Sequence, residues 1–136
     1  MRQLVLLLVL SLPGYSHAQH KDELLKSIYF GGGSYEVDEE QAVSLLNWLD
    51  SIPDAATRYE VHLISHTDPI GGREYNQWLS RMRSQAVKAL LLQHNIPESR
   101  ITIRDWGLDN PLYSNSTRKS MALNRRVDVI LYPIVY

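Results

Sequence analysis

The sequence predicts an α/β (α+β) two-layer sandwich of βαβαβ type, with long helices on one side of a small mixed sheet. Three observations carry that prediction. Runs that alternate apolar and polar residues take turns with runs of helical period, in the order β-α-β-α-β-loop-β. The strands are few and short, whereas both helical runs are long, so the helices can cover the sheet. The chain has 136 residues, 44% of them hydrophobic, with no internal repeat and no linker rich in Pro, Gly or Ser, enough for one domain with a real core.

The elements follow in order. Residues 1–18 have the layout of a cleavable export signal. Arg2 precedes the apolar run Leu4 to Leu12, Pro13-Gly14 breaks it, and Ser16-His17-Ala18 places small residues for cutting after Ala18. The apolar run is too short to span a bilayer as a helix. Residues 19–26 are a short lead into the first strand, whose apolar stretch Leu24 to Phe30 stops at Gly31-Gly32-Gly33. Asp38 with Gln41 forms a capping box, and Ala42, Leu45, Leu46 and Leu49 then follow helical spacing up to Pro53. Tyr59 to Ser65 alternates as a strand. Arg73 to His94 is a long helix with Leu79, Met82, Ala86 and Leu90 as its expected inward stripe, ended by Asn95-Ile96-Pro97. A third strand starts near Ile101, and Gly107 to Ser120 reads as a polar loop. The last strand runs from Arg126 to Leu131 and is expected to be antiparallel to a neighbour. Residues 132–136 form an apolar tail, which either packs back on the sheet or docks on a partner.

Composition narrows the function. A net charge of −1 provides no electrostatic footprint for nucleic acid. With no cysteine there are no disulfides, thiolate metal sites, cysteine nucleophiles or lipidated cysteine. The reading expects an exported, non-enzymatic, periplasmic protein with no cofactor, no metal, no transmembrane anchor and no lipid anchor. His62 and His66 share a strand face near Asp68, but a metal site needs a third convergent ligand, and His66 is read as fixing the loop. Ser80 lacks the glycine-flanked elbow of a serine nucleophile. Asn124-Arg125-Arg126 is read as structural pairing near the binding face. Trp48, Trp78 and Trp106 fall in three elements and are read as packing residues, with Trp78, where exposed, a candidate for a partner surface.

The most informative stretch is Ser65-His66-Thr67-Asp68-Pro69-Ile70-Gly71-Gly72, followed by Tyr75-Asn76, Leu79-Ser80 and Arg83. Asp68 stands at the end of a strand, and Asn76, Ser80, Arg83 and Val87 share one face of the next helix. Asp68 and Arg83 can therefore face each other. They either pair directly, or offer one anion and one bidentate cation to a zwitterion, the ammonium to Asp68 and the carboxylate to Arg83. Asn76 can add a neutral donor and acceptor, and the Gly31–Gly33 loop can bring backbone N–H groups close.

These residues, with Gly107, Pro111, Asn115, Thr117 and Asn124-Arg125-Arg126-Val127, resemble the OmpA C-terminal-like domain, the peptidoglycan-binding module found also in Pal, MotB and MotY proteins. The resemblance covers about 27–131. It implies non-covalent binding of peptidoglycan through the diaminopimelate of the stem peptide, which would localise the protein at the cell wall and the outer membrane. It implies that Asp68 takes the ammonium and Arg83 the carboxylate, that Asn76 and Thr67 belong to the same site, and that the loop holding Gly32 and Gly33 closes over the ligand. The sequence departs from the family at Ser65, where a glycine is usual, and at Ser120-Met121, where Gly-Arg is usual. Neither change touches Asp68 or Arg83. The rival readings are an accessory of an envelope machine such as a flagellar stator or secretion system, in which a protein partner dominates, and a cell-wall hydrolase, for which no catalytic constellation is present. Alanine at Asp68 or Arg83 is expected to remove binding without unfolding the domain.

Overall fold

A computed structural model describes residues 22–105 and 116–135. The expected export signal and its expected cleavage point, with Trp106, Gly107, Pro111 and Asn115, lie outside the described residues. The elements are β1 (Leu24–Tyr29), α1 (Glu39–Asp50), α2 (Ala55–Arg58), β2 (Tyr59–His66), α3 (Arg73–Gln93), a 3-10 turn (Glu98–Arg100), β3 (Ile101–Asp105), α4 (Arg118–Asn124) and β4 (Arg126–Pro133). The strands form one mixed sheet in the order β1-β4-β2-β3. β4 lies antiparallel to both β1 and β2, whereas β2 and β3 run parallel with α3 as their crossover.

Alternation decides which face of the sheet is covered. Ile28 of β1, Val61 and Leu63 of β2, and Val127, Val129 and Leu131 of β4 point to one side. There they meet Leu45 and Leu49 of α1 and Val87 and Leu91 of α3 in a single core. No helix among the described residues is long and apolar enough to cross a membrane.

Local chemistry sets the ends. Asp38 caps α1 by accepting from the Gln41 backbone N–H at 2.9 Å, as the sequence predicts. The Gln41 side chain does not complete a capping box. It pairs instead with both backbone groups of Tyr29, each at 2.7 Å, and so ties α1 to the first strand. α3 ends in a Schellman motif. Asn95 takes a left-handed φ of 63°, Ile96 N–H donates to Leu91 C=O at 3.0 Å and Asn95 N–H to Leu92 C=O at 3.1 Å, while Ile96 joins the core.

Four expectations change. α3 is rotated relative to the predicted stripe: Asn76, Leu79, Ser80, Arg83, Ser84, Val87 and Leu91 are its buried residues, whereas Met82, Ala86 and Leu90 are only half-buried. Among the inward polar residues, Arg83 lines a cavity shared with Asp68, and Asn76 donates to Gly71 C=O. The segment read as loop up to Ser120 already becomes helical at Arg118, because the Thr117 hydroxyl accepts from Ser120 N–H at 3.0 Å. The short α2 was not foreseen; its four residues carry too little periodicity to detect. β4 continues two residues past Leu131, and Ile134 N–H donates to Arg58 C=O at 2.9 Å, so the start of the tail extends the ladder between β4 and β2.

Candidate functional site

Asp68 follows the end of β2, and Arg83 lies on the third turn of α3. Both are buried, Arg83 completely. They line one cavity of about 120 Å³, together with Gly32, Gly33, Ile70, Tyr75 and Leu79. No hydrogen bond or ion pair joins Asp68 to Arg83, so the direct pairing allowed by their spacing is not what holds them.

Each has a different partner. The Arg83 guanidinium donates from Nε to Ser34 C=O at 2.7 Å and from Nη2 to Gly31 C=O at 3.0 Å. Its carbon lies 5.1 Å from the Phe30 ring centroid, a cation–π arrangement. Nη1 is buried with no hydrogen-bond partner among the described residues. Burial lowers the Arg83 pKa to about 10; the negative charge of Asp68 opposes that shift and the positive charge of Arg125 adds to it. Arg83 thus remains a cation at neutral pH, stripped of water and with one nitrogen still to satisfy.

Asp68 accepts from Ile70 N–H at 3.0 Å through Oδ1 and from Arg125 Nη1 at 3.1 Å through Oδ2. Arg125 also donates from Nε to Phe30 C=O at 3.1 Å. It is the site residue that sequence reasoning missed as such. The signal was present in Asn124-Arg125-Arg126. Antiparallel pairing sets Arg126 opposite His66, so the preceding residue stands level with Thr67 beside the mouth of the loop.

The second arginine does something different. Arg126 points to the opposite face of the sheet and donates from Nε to Asp128 Oδ1 at 3.1 Å. Ser27 Oγ donates to the same carboxylate at 2.6 Å, and His66 Nε2 lies 3.5 Å from it. His66 therefore braces the back of the sheet rather than the loop. Burial pushes the Asp128 carboxyl up, but the hydrogen bonds from His66 and Ser27 and the Arg126 guanidinium outweigh it and leave the pKa below the ordinary value. His62 packs edge-on against Tyr132 with centroids 4.7 Å apart. No group of three metal-ligating side chains assembles among the described residues.

Asn76 and Thr67 are buried but are not part of the cavity wall. Asn76 Nδ2 donates to Gly71 C=O at 3.4 Å, while Asn76 Oδ1 and Thr67 Oγ1 have no partner among the described residues. Two glycines shape the rim. Gly33 has φ +67° and Gly71 has φ +100°, and a Cβ on Gly71 would stand 2.7 Å from the Tyr75 ring. The cavity can hold a small dipolar group, with a carboxylate toward the arginine and an ammonium toward the aspartate.

Known proteins share the sequence pattern and the fold. The sequence model of the OmpA family matches residues 29–125. The probable lipoprotein YiaD of Escherichia coli (strain K12) is 39% identical over 74 residues, covering 54% of this chain and 34% of that protein. The outer-membrane lipoprotein YfiB of Pseudomonas aeruginosa is 38% identical over 72 residues, covering 53% of this chain and 43% of that protein. The chain thus spans well under half the length of these curated relatives. Among solved structures, the peptidoglycan-associated lipoprotein from Burkholderia pseudomallei superimposes with a TM-score of 0.67 at 25% identity, over 79% of this chain and 90% of that one. The C-terminal domain of Helicobacter pylori MotB shares the fold, with a TM-score of 0.68 at 16% identity over 81% of this chain and 86% of that one. With the family match running from the end of the first strand to the arginine that holds Asp68, the chain belongs to the OmpA family.

Proposed function

We propose that this domain binds peptidoglycan without chemical change, through the zwitterionic end of the diaminopimelate side chain. The supporting observation is the cavity itself. A buried aspartate and a fully buried arginine line about 120 Å³ without bonding each other, and one arginine nitrogen has no partner among the described residues. A carboxylate at Arg83 would satisfy that nitrogen, and an ammonium at Asp68 would add a second charge-assisted contact. Gly32 and Gly33 would close the loop over the head group. Thr67 and Asn76 would act from behind the wall, by holding the Asp68 loop and the start of α3. The relatives are named as outer-membrane proteins and lipoproteins, one of them peptidoglycan-associated, which supports a place in the cell envelope on the periplasmic side.

Purified sacculi test this reading. The protein should co-sediment with them, free diaminopimelate should release it, and raised salt should weaken retention by screening the two contacts. Retention that neither free diaminopimelate nor salt alters would refute the assignment.

A further inference from the structure

Three exposed aromatic side chains cluster together, one of them in the wall of the cavity. Tyr75 is 45% exposed, Trp78 40% and Tyr35 40%, all high for large aromatics in so small a domain. They form a connected group. The Tyr75 and Trp78 ring centroids lie 5.9 Å apart at a 33° tilt, and Tyr35 meets Trp78 edge-on at 5.7 Å and 81°. The backbone fixes their positions. Tyr75 and Trp78 are one turn apart on α3, and Tyr35 follows Ser34, whose carbonyl Arg83 holds at 2.7 Å. The group is continuous with the cavity, because Tyr75 belongs to its wall.

We infer that Trp78, flanked by Tyr35 and Tyr75, is a sugar subsite, on which an N-acetylated pyranose of the glycan strand stacks while the stem peptide occupies the cavity. This rests on the recognition reading above. Size and reach both permit a sugar. The cavity of about 120 Å³ takes an amino-acid head group but no pyranose, so any sugar must lie outside it. The link from the head group to the sugar runs through the diaminopimelate side chain, a γ-linked glutamate and an alanine, so it is longer than the 5.9 Å step from Tyr75 to Trp78 and can span it. The chemistry also fits. A pyranose presents a face of C–H groups to the electron-rich face of an indole, while its hydroxyls remain in water. Tyrosine hydroxyls beside the indole offer hydrogen bonds at the edge of the same ring. A protein partner would be expected to draw on a larger apolar surface; Glu36 and Glu74, next to Tyr35 and Tyr75 in the chain, are exposed carboxylates.

Calorimetric titration with two probes separates the subsite from the cavity. One probe is the stem tripeptide Ala-γ-Glu-diaminopimelate; the other is the same tripeptide on its disaccharide. The native domain should bind the disaccharide form about three- to tenfold more tightly. Trp78→Ala should erase that gain and leave tripeptide affinity within about twofold. Trp78→Phe should restore part of it, and Tyr35→Ala should reduce it. Equal affinities for the two probes, or a gain that survives Trp78→Ala, would overturn the sugar subsite while leaving the cavity intact. Failure to bind either probe would overturn the recognition reading and the subsite together.

Discussion

Two nitrogens of the Arg83 guanidinium hold the glycine loop, and the third has no partner among the described residues. That division changes the expectation for this residue. Removing the side chain leaves the Ser34 and Gly31 carbonyls unpaired and opens a void over Phe30, so Arg83→Ala should cost about 3 kcal/mol of stability as well as binding. Chemical denaturation would measure the loss, and an unchanged midpoint would contradict it. Asp68 permits a second test. Asp68→Asn keeps the shape and its one oxygen can still accept from Ile70 N–H, but an amide nitrogen then faces Arg125 in place of Oδ2 and no charge is left for an ammonium. It should weaken sacculus binding at least about tenfold and cost about 1–3 kcal/mol of stability through the lost Arg125 pair. The two charged residues were legible in the sequence from their spacing and from the family resemblance. Arg125 was not given its role, because whether an arginine before a strand points to one face or the other depends on a register that only the folded sheet supplies.

The strand and helix periods were clear wherever a long apolar face repeats, as in β2 and α3. They failed where the buried face carries polar groups. Asn76, Ser80 and Arg83 look like a solvent face by composition, yet all three are buried; of them only Arg83 lines the cavity, while Asn76 is tied to Gly71 C=O. The loop before Tyr75 offers a prediction at this scale. Gly71→Ala forces a residue with a side chain to φ +100° and drives its Cβ to 2.7 Å from the Tyr75 ring, whereas Gly32 has nothing within 4 Å of its would-be Cβ. Gly71→Ala should therefore destabilise by about 1–3 kcal/mol and displace Tyr75 from the cavity wall, while Gly32→Ala should be tolerated. Thermal unfolding of the two variants would distinguish them, and equal losses would contradict the account. At the far end of α3, Asn95→Ala should cost about 1 kcal/mol, because alanine resists the left-handed conformation that closes the Schellman motif.

Across the whole molecule, β4 carries two different systems on its two sides. One side supplies the apolar core, and the other holds the Ser27–Asp128–Arg126–His66 cluster, which links three strands and reaches α4 through Arg126 Nη1 on Leu123 C=O at 3.1 Å. The folded Asp128 carboxyl has a depressed pKa, so the fold binds the proton less readily there than the unfolded chain does. Its contribution is complete above the unfolded carboxyl value of about 3.9 and is lost as pH falls through the lower folded value. Acid unfolding of Asp128→Asn should accordingly be less steep below about pH 4 than that of the native domain, and parallel acid limbs would contradict this. This cluster also fixes the start of β4, and with it the arginine that holds Asp68 in place. The central claim remains that a buried anion and a buried cation share one small dipolar ligand. The most direct measurement is a calorimetric comparison of two stem tripeptides, one ending in diaminopimelate and one in lysine, which keeps the side-chain ammonium and lacks its carboxylate. The diaminopimelate form should bind at least about tenfold more tightly, through the unfilled nitrogen of Arg83. Equal affinity for the two would contradict the account.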